Sequence, residues 1–172
     1  MKVKALFAAA LLALAPMAAV AHEYVNETVH IDHPWSRPTP PGTSMGVGYL
    51  VIKNTSDGDI TLVGAETPRA GHVSIHESMM HDGMMSMKPL KAGLLIPAGE
   101  TVELKPHGYH LMLEKLSGPL EEGERIPLTL DFDGAESVAV ELTVQSLDSG
   151  AMTTGSDGDM DHSDHSHHSH HE

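Results

Sequence analysis

The 172-residue sequence contains no cysteine. That absence rules out disulfides, a thiolate-bearing blue-copper centre and any thiol-based metal carrier. Cationic side chains are scarce: ten Lys and Arg stand against 24 Asp and Glu, a formal net charge of −14. A surface so acidic repels nucleic acid and anionic lipid, and neither is expected as a partner. Beyond the first 21 residues no run is apolar enough to cross a bilayer. The 16 glycines build no phosphate loop, because GVG at Gly46 to Gly48 lacks the remaining glycine and a following helix. No Ser-His-Asp set, paired carboxylates or open coordination position stands out, so an enzyme is not expected.

What is present begins with an export signal. Lys2 and Lys4 form a basic start, Ala5 to Leu14 an apolar stretch, and Ala19-Val20-Ala21 a small-x-small cleavage site. Residues 1–21 read as a signal peptide, too short to anchor the chain. Its removal deletes two lysines and no acid, which takes the formal charge to −16. The mature chain is expected in the periplasm or secreted, without membrane insertion.

From His22 to Leu147 the chain reads as one domain of short strands separated by turn chemistry, with no persuasive helical period. Val25, Val29 and Ile31 mark a first strand, ended by a rigid loop HPWSRPTPPG (His33 to Gly42) in which Trp35 packs against the body. Met45–Lys53, Ile60–Ala65, His72–Glu77, Thr101–Lys105, Tyr109–Leu116, Leu128–Phe132 and Val138–Leu147 follow, with NTSDGD, PAGE, EEGE and DFDG as turns. Eight or so strands at this spacing predict an all-β antiparallel barrel or sandwich.

The chemistry concentrates between His76 and Met112. HESMMHDGMMSM holds His76, His81 and five methionines (Met79, Met80, Met84, Met85, Met87) in twelve residues. The segment lacks the period of a buried element and reads as a loop. Exposing five methionines there requires a partner surface or a soft metal. In GYHLMLEKL, strand alternation turns His110 and Met112 to one face and Tyr109, Leu111 and Leu113 to the core. Imidazole beside thioether without thiolate suits Cu(I) better than zinc or a hard cation.

These residues carry a family resemblance. The chain resembles the PCu(A)C copper chaperones, whose motif is His, ten residues, Met, about 21 or 22 residues, then His-x-Met. Here His76 precedes Met87 by that spacing, and 22 residues separate Met87 from His110-Leu111-Met112. HPWSRPTPPG, VSIHESMM, LLIPAGETVELKPHGYHLMLEKL and LEEGERIPLTLDF extend the likeness over Tyr24 to Leu147. The resemblance implies a cupredoxin-like β-barrel that binds Cu(I) through His76, Met87, His110 and Met112. It also implies a recipient, the copper subunit of cytochrome c oxidase, reached directly or through a Sco-type thiol protein. A monomer is expected. Met79, Met80, His81, Met84 and Met85 stand as transient ligands or as plain loop surface.

Composition changes after Leu147. The tail 148–172 has almost no aliphatic residues and is expected to be disordered. His162, His165, His167, His168, His170 and His171, with Met152 and Met160, lie among Asp and Ser in a pattern unlike an uninterrupted tag. Imidazole and carboxylate there suit Cu(II) and other divalent ions. His22 would become the N-terminus after cleavage, and its amine and ring could chelate Cu(II). His30, His33, His72 and His107 have weaker claims. The function expected is extracytoplasmic copper delivery; the alternative is a copper scavenger or buffer for resistance, in which the tail does most of the binding.

Overall fold

A computed structural model describes residues 23–146. The expected signal segment, His22 and the histidine tail lie outside the described residues. Eleven strands follow in order: β1 Glu23–Val25, β2 Val29–Ser36, β3 Met45–Asn54, β4 Ile60–Glu66, β5 Ala70–His81, β6 Met84–Pro89, β7 Leu94–Ile96, β8 Thr101–Leu104, β9 Tyr109–Leu116, β10 Arg125–Asp133 and β11 Val138–Val144. No helix occurs among the described residues, as the sequence predicted.

The strands form one sheet in the order β6-β5-β9-β8-β3-β2-β11-β10-β4-β7, with β1 on β2 and a second pairing of β9 with β3. Pairing is antiparallel except between β11 and β2 and between β8 and β9. Alternation drives the assembly: Val138, Val140, Leu142 and Val144 on β11 face inward, as do Ile126, Leu128 and Leu130 on β10. With Ile31, Ile52, Leu62, Ile75, Leu111 and Leu113 they make one core. Glycine brings β3 close to that core. A Cβ on Gly46 would lie 3.0 Å from Leu120 Cδ1, and one on Gly48 3.3 Å from Leu142 Cδ1.

Asn54, fully buried at the end of β3, ties two turns together. Its amide donates to the carbonyls of Gly58 (2.7 Å), Ile96 (3.1 Å) and Pro97 (3.2 Å), and its oxygen accepts from Ser56 N–H (3.0 Å). Arg69, in the β4–β5 turn, pairs with Glu124 and also donates to Ser117 Oγ (2.6 Å) and the Pro119 carbonyl (2.9 Å).

Four expectations need correction. The first strand is two, because Asn26 Oδ1 accepts from the N–H groups of Thr28 and Val29 and turns the chain between β1 and β2. HPWS is not loop: β2 continues to Ser36 across a bulge between Asp32 and Trp35, with His33 at φ 47°. The bulge accommodates Pro34, whose missing N–H falls where the ladder is interrupted. DFDG is strand as far as Asp133, and β7 was not foreseen. Most important for function, the segment from Ser78 to Met87 is not a loop. β5 runs to His81, and β6 returns antiparallel to it. Asp82 (φ 49°) and Gly83 (φ 78°) close this hairpin as a two-residue turn with both central φ positive.

Candidate metal centre

β5 and β9 pair so that His76 stands opposite His110, and Ser74 opposite Met112. Directly opposed residues share a face, and so do residues two apart. His76, His110, Met112 and Ser74 therefore point one way. Val73, Ile75, Leu111 and Leu113 point the other way, into the core, where all four are buried. The two imidazoles stack with centroids 5.8 Å apart and planes 19° from parallel. His110 and Met112 are only 4% and 9% exposed. Burial on this face is deeper than alternation alone predicts, and Tyr109 is only partly buried against the core.

Hydrogen bonds fix which ring nitrogen is free. His110 Nδ1 lies 3.1 Å from the Gly108 carbonyl, which can only accept, so Nδ1 carries the proton. The same carbonyl accepts from Ser78 N–H at 3.0 Å, which holds it in place. His76 Nδ1 lies 3.3 Å from Ser74 Oγ, and that hydroxyl donates to Glu114 Oε1 at 2.7 Å. The hydroxyl hydrogen is committed to the carboxylate, so His76 Nδ1–H is the donor to Ser74. In the neutral form both rings thus carry the proton on Nδ1 and leave Nε2 free, the tautomer a metal requires. Burial lowers the His76 pKa below its usual value, and His110 lowers it further; Glu114 opposes both. The balance favours the neutral ring.

Met87 reaches the same face from β6. It stands opposite Ser78, two residues beyond His76 on β5, and is half exposed. Every residue of β6 is exposed, and among the described residues β6 pairs only with β5. The four residues singled out in the sequence therefore share one sheet face: His110 and Met112 on the central strand β9, His76 on β5 and Met87 on the exposed edge β6.

Beside them on β3, Val47 stands opposite Met112 and Tyr49 follows two residues on. Tyr49 packs on Trp35 with centroids 4.6 Å apart, and Arg37 Cζ lies 5.6 Å from the Trp35 ring. The β2 bulge sets this register. Burial raises the Tyr49 pKa against the opposing pull of Arg37, so the phenol stays protonated. Ser74, Gly108, Glu114 and Tyr49 were missed in the sequence. His110, Met112 and Glu114 alternate as His-x-Met-x-Glu, and that period was the available sign for Glu114.

Of the remaining histidines among the described residues, His72 alone shares this strand face in the β5–β9 register. His30 Nε2 is 3.0 Å from Glu23 Oε1, His33 Nε2 is 3.4 Å from Gln145 Nε2, and His107 occupies a turn at φ 66°. His72 stands opposite Glu114 and is exposed. His81 Nε2 sits 3.3 Å from Asp82 Oδ2 at the hairpin tip. Among the described residues, no three His, Asp or Glu side chains converge to hold an ion. A cage of hard or divalent-ion ligands is therefore absent from them. No helix among them is long and apolar enough to cross a membrane.

Comparison with known proteins gives a consistent picture. The model of a family described as "Putative lipoprotein LpqE-like" matches residues 29–144. "Putative lipoprotein Lxx21020" of Leifsonia xyli subsp. xyli is 35% identical over 123 residues, 72% of each chain. Among solved structures, the apo PCuAC domain from PmoF1 superposes with a TM-score of 0.61 at 25% identity, covering 73% of this chain and 99% of that one. The solution structure of CuI-DR1885 from Deinococcus radiodurans superposes with a TM-score of 0.53 at 32% identity, covering 74% and 81%. The all-β fold expected from the strand pattern, and the cupredoxin-like form that the resemblance implied, agree with the fold observed. The chain belongs to the LpqE-like family of PCu(A)C domains.

Proposed function

We propose that this protein carries Cu(I) outside the cytoplasm and gives it to another protein. The observation that carries the reading is the opposed pair His76 and His110, each held with Nε2 free, with Met112 and Met87 on the same face. Two imidazoles and two thioethers are neutral and soft, a set that favours the monovalent ion over the divalent one. The related Deinococcus protein, 32% identical, is described with Cu(I) bound.

Copper is cargo here, and release is ligand exchange. Met87 sits on the exposed edge strand, so its sulfur can leave first and open a position for a recipient's ligand. The copper subunit of cytochrome c oxidase, or a Sco-type thiol protein ahead of it, is the recipient we infer from the family. Residues 1–21 would direct export, and the relative named as a lipoprotein accords with that. The tail histidines His162 to His171, with Met152 and Met160, would take Cu(II), as would His22 after cleavage. Buffering for copper resistance is the second reading, favoured by that run of tail histidines. Neither reading involves catalysis.

The test is anaerobic Cu(I) titration of the full chain against a chromophoric chelator, with X-ray absorption on the first equivalent. Wild type should show mixed nitrogen and sulfur ligation. Met112→Leu keeps the packing volume and removes the sulfur. It should lose sulfur signal and weaken binding at least about tenfold, the scale on which even outer partners of a ligand act. If Met112→Leu together with His110→Gln leaves a folded chain with full affinity, this face is not the Cu(I) site.

A further inference from the structure

We propose that the β5–β6 arm carries a second Cu(I) set, Met80, Met85 and Met87, which shares Met87 with the inner site. The inference rests on the Cu(I) reading above. The register supports it rung by rung: His76 opposes Pro89, Ser78 opposes Met87, and Met80 opposes Met85. Alternation carries the face of His76 outward through Ser78 to Met80, and along β6 through Met87 to Met85. The reverse face bears Glu77 and Lys88, Met79 and Ser86, then His81 and Met84.

The two faces of the arm thus differ in chemistry. The histidine face holds three thioethers and one hydroxyl and no charged side chain. The reverse face mixes two thioethers and a hydroxyl with a carboxylate, an ammonium and an imidazole. A neutral thioether triad selects a soft monovalent ion and gives nothing to zinc or calcium. Opposed Cβ atoms lie about 5 Å apart and diagonal ones about 7–8 Å. Methionine has three rotatable bonds, enough for three sulfurs to meet at one ion from those positions.

Core packing does not account for these residues. Met80, Met85 and Met87 are 65%, 49% and 50% exposed, and no residue of β6 is buried. An apolar row on an edge strand is an aggregation hazard, which a soft-metal role would justify. Passage inward is a stepwise exchange. The Cu–S bonds to Met80 and Met85 break, while Cu–N bonds to His76 and His110 and a Cu–S bond to Met112 form. Met87 remains bound throughout. Copper stays Cu(I), and the neutral rings, with their protons on Nδ1, offer Nε2 without a change of tautomer.

The experiment uses the full chain with ¹³C-methyl methionine, titrated anaerobically with Cu(I) and followed by NMR. The first equivalent should shift Met112 and Met87, and further Cu(I) should shift Met80 and Met85 while moving Met87 again. Met80→Leu with Met85→Leu should abolish the later response and change first-equivalent affinity by less than about twofold, since neither residue is an inner ligand. Met87→Leu should weaken both stages. Met80 and Met85 methyls that never move, or that move in step with Met79 and Met84, would overturn the outer set. Failure of Met112 to respond to the first equivalent would overturn the inner site and the shared ligand with it, and that signature is separate.

Discussion

Replacing Ser74 by alanine deletes one oxygen and no ligand, yet it should weaken copper binding. In the wild type Ser74 Oγ accepts the His76 Nδ1 proton at 3.3 Å and donates to Glu114 at 2.7 Å. Without it, His76 can carry its proton on either nitrogen, and its ring can turn away from His110. Loss of such an outer partner typically costs 10–100-fold in metal affinity. The 3.3 Å contact is long for a hydrogen bond, and His110 keeps its own restraint from Gly108. The lower end of the range is therefore expected, about tenfold, or ~1.4 kcal/mol.

Glu114→Gln separates geometry from charge. The glutamine carbonyl still accepts from Ser74, so this variant should lose less than Ser74→Ala. The assay is competitive Cu(I) titration at pH 7, with apo-protein melting curves beside it. Ser74 is half-buried on the outer face, so the apo melting temperature should hardly move. Wild-type affinity in Ser74→Ala would refute the orienting role. A loss of affinity matched by a large fall in apo melting temperature would make the role structural instead.

Two further expectations concern the scaffold. Asn54→Ala takes the amide donor away from the buried contact with the Ile96 carbonyl and from the Gly58 and Pro97 carbonyls, which keep Ser56 Oγ and Glu100 N–H; denaturant unfolding should show a loss of about 1–3 kcal/mol with an unchanged slope. Arg69 holds the Glu124 pKa below its ordinary value near 4.5, so the unfolded chain binds the extra proton first as pH falls. The stabilisation is complete above that ordinary value and lost as pH drops through the folded one. Glu124→Gln should accordingly melt below wild type at pH 7, with the gap closing in acid; a gap that persists to pH 2 would assign the effect to something other than this carboxylate.

The proposed metal face was legible where the core stamped its period on the chain. Tyr109 to Leu116 alternates because Leu111 and Leu113 must enter the core, and that alone places His110 beside Met112. The arm was illegible for the opposite reason. Both faces of β6 are exposed, so no core imposes alternation on MMSMKP, and the segment passes for a loop. Asp82-Gly83 between two Met-Met pairs was the surviving signal, a two-residue hairpin turn. HPWS misled through Pro34, which argues against a strand unless a bulge absorbs it. Ser74 and Glu114 lie 40 residues apart and become partners only through the β5–β9 register, which no local pattern encodes.

On the proposed Cu(I) reading, that register also separates retention from release. His110 and Met112 belong to β9, which is clasped between β5 and β3 and backed by the leucine core. Moving either would require parting strands that hold the domain together. Met87 belongs to an edge strand that contacts no core and pairs with one neighbour. Its side chain can exchange rotamers, and β6 can fray, at little cost to global stability, since opening of such exposed edges lies at the low end of local unfolding free energies. Four buried ligands would bind copper and keep it, because every exchange would open the core. Four exposed ligands would have no fixed geometry to select Cu(I). Placing the histidine pair and one methionine on rigid strands and the other methionine on an exposed arm gives a site that can hold the ion and still yield it through one ligand at a time.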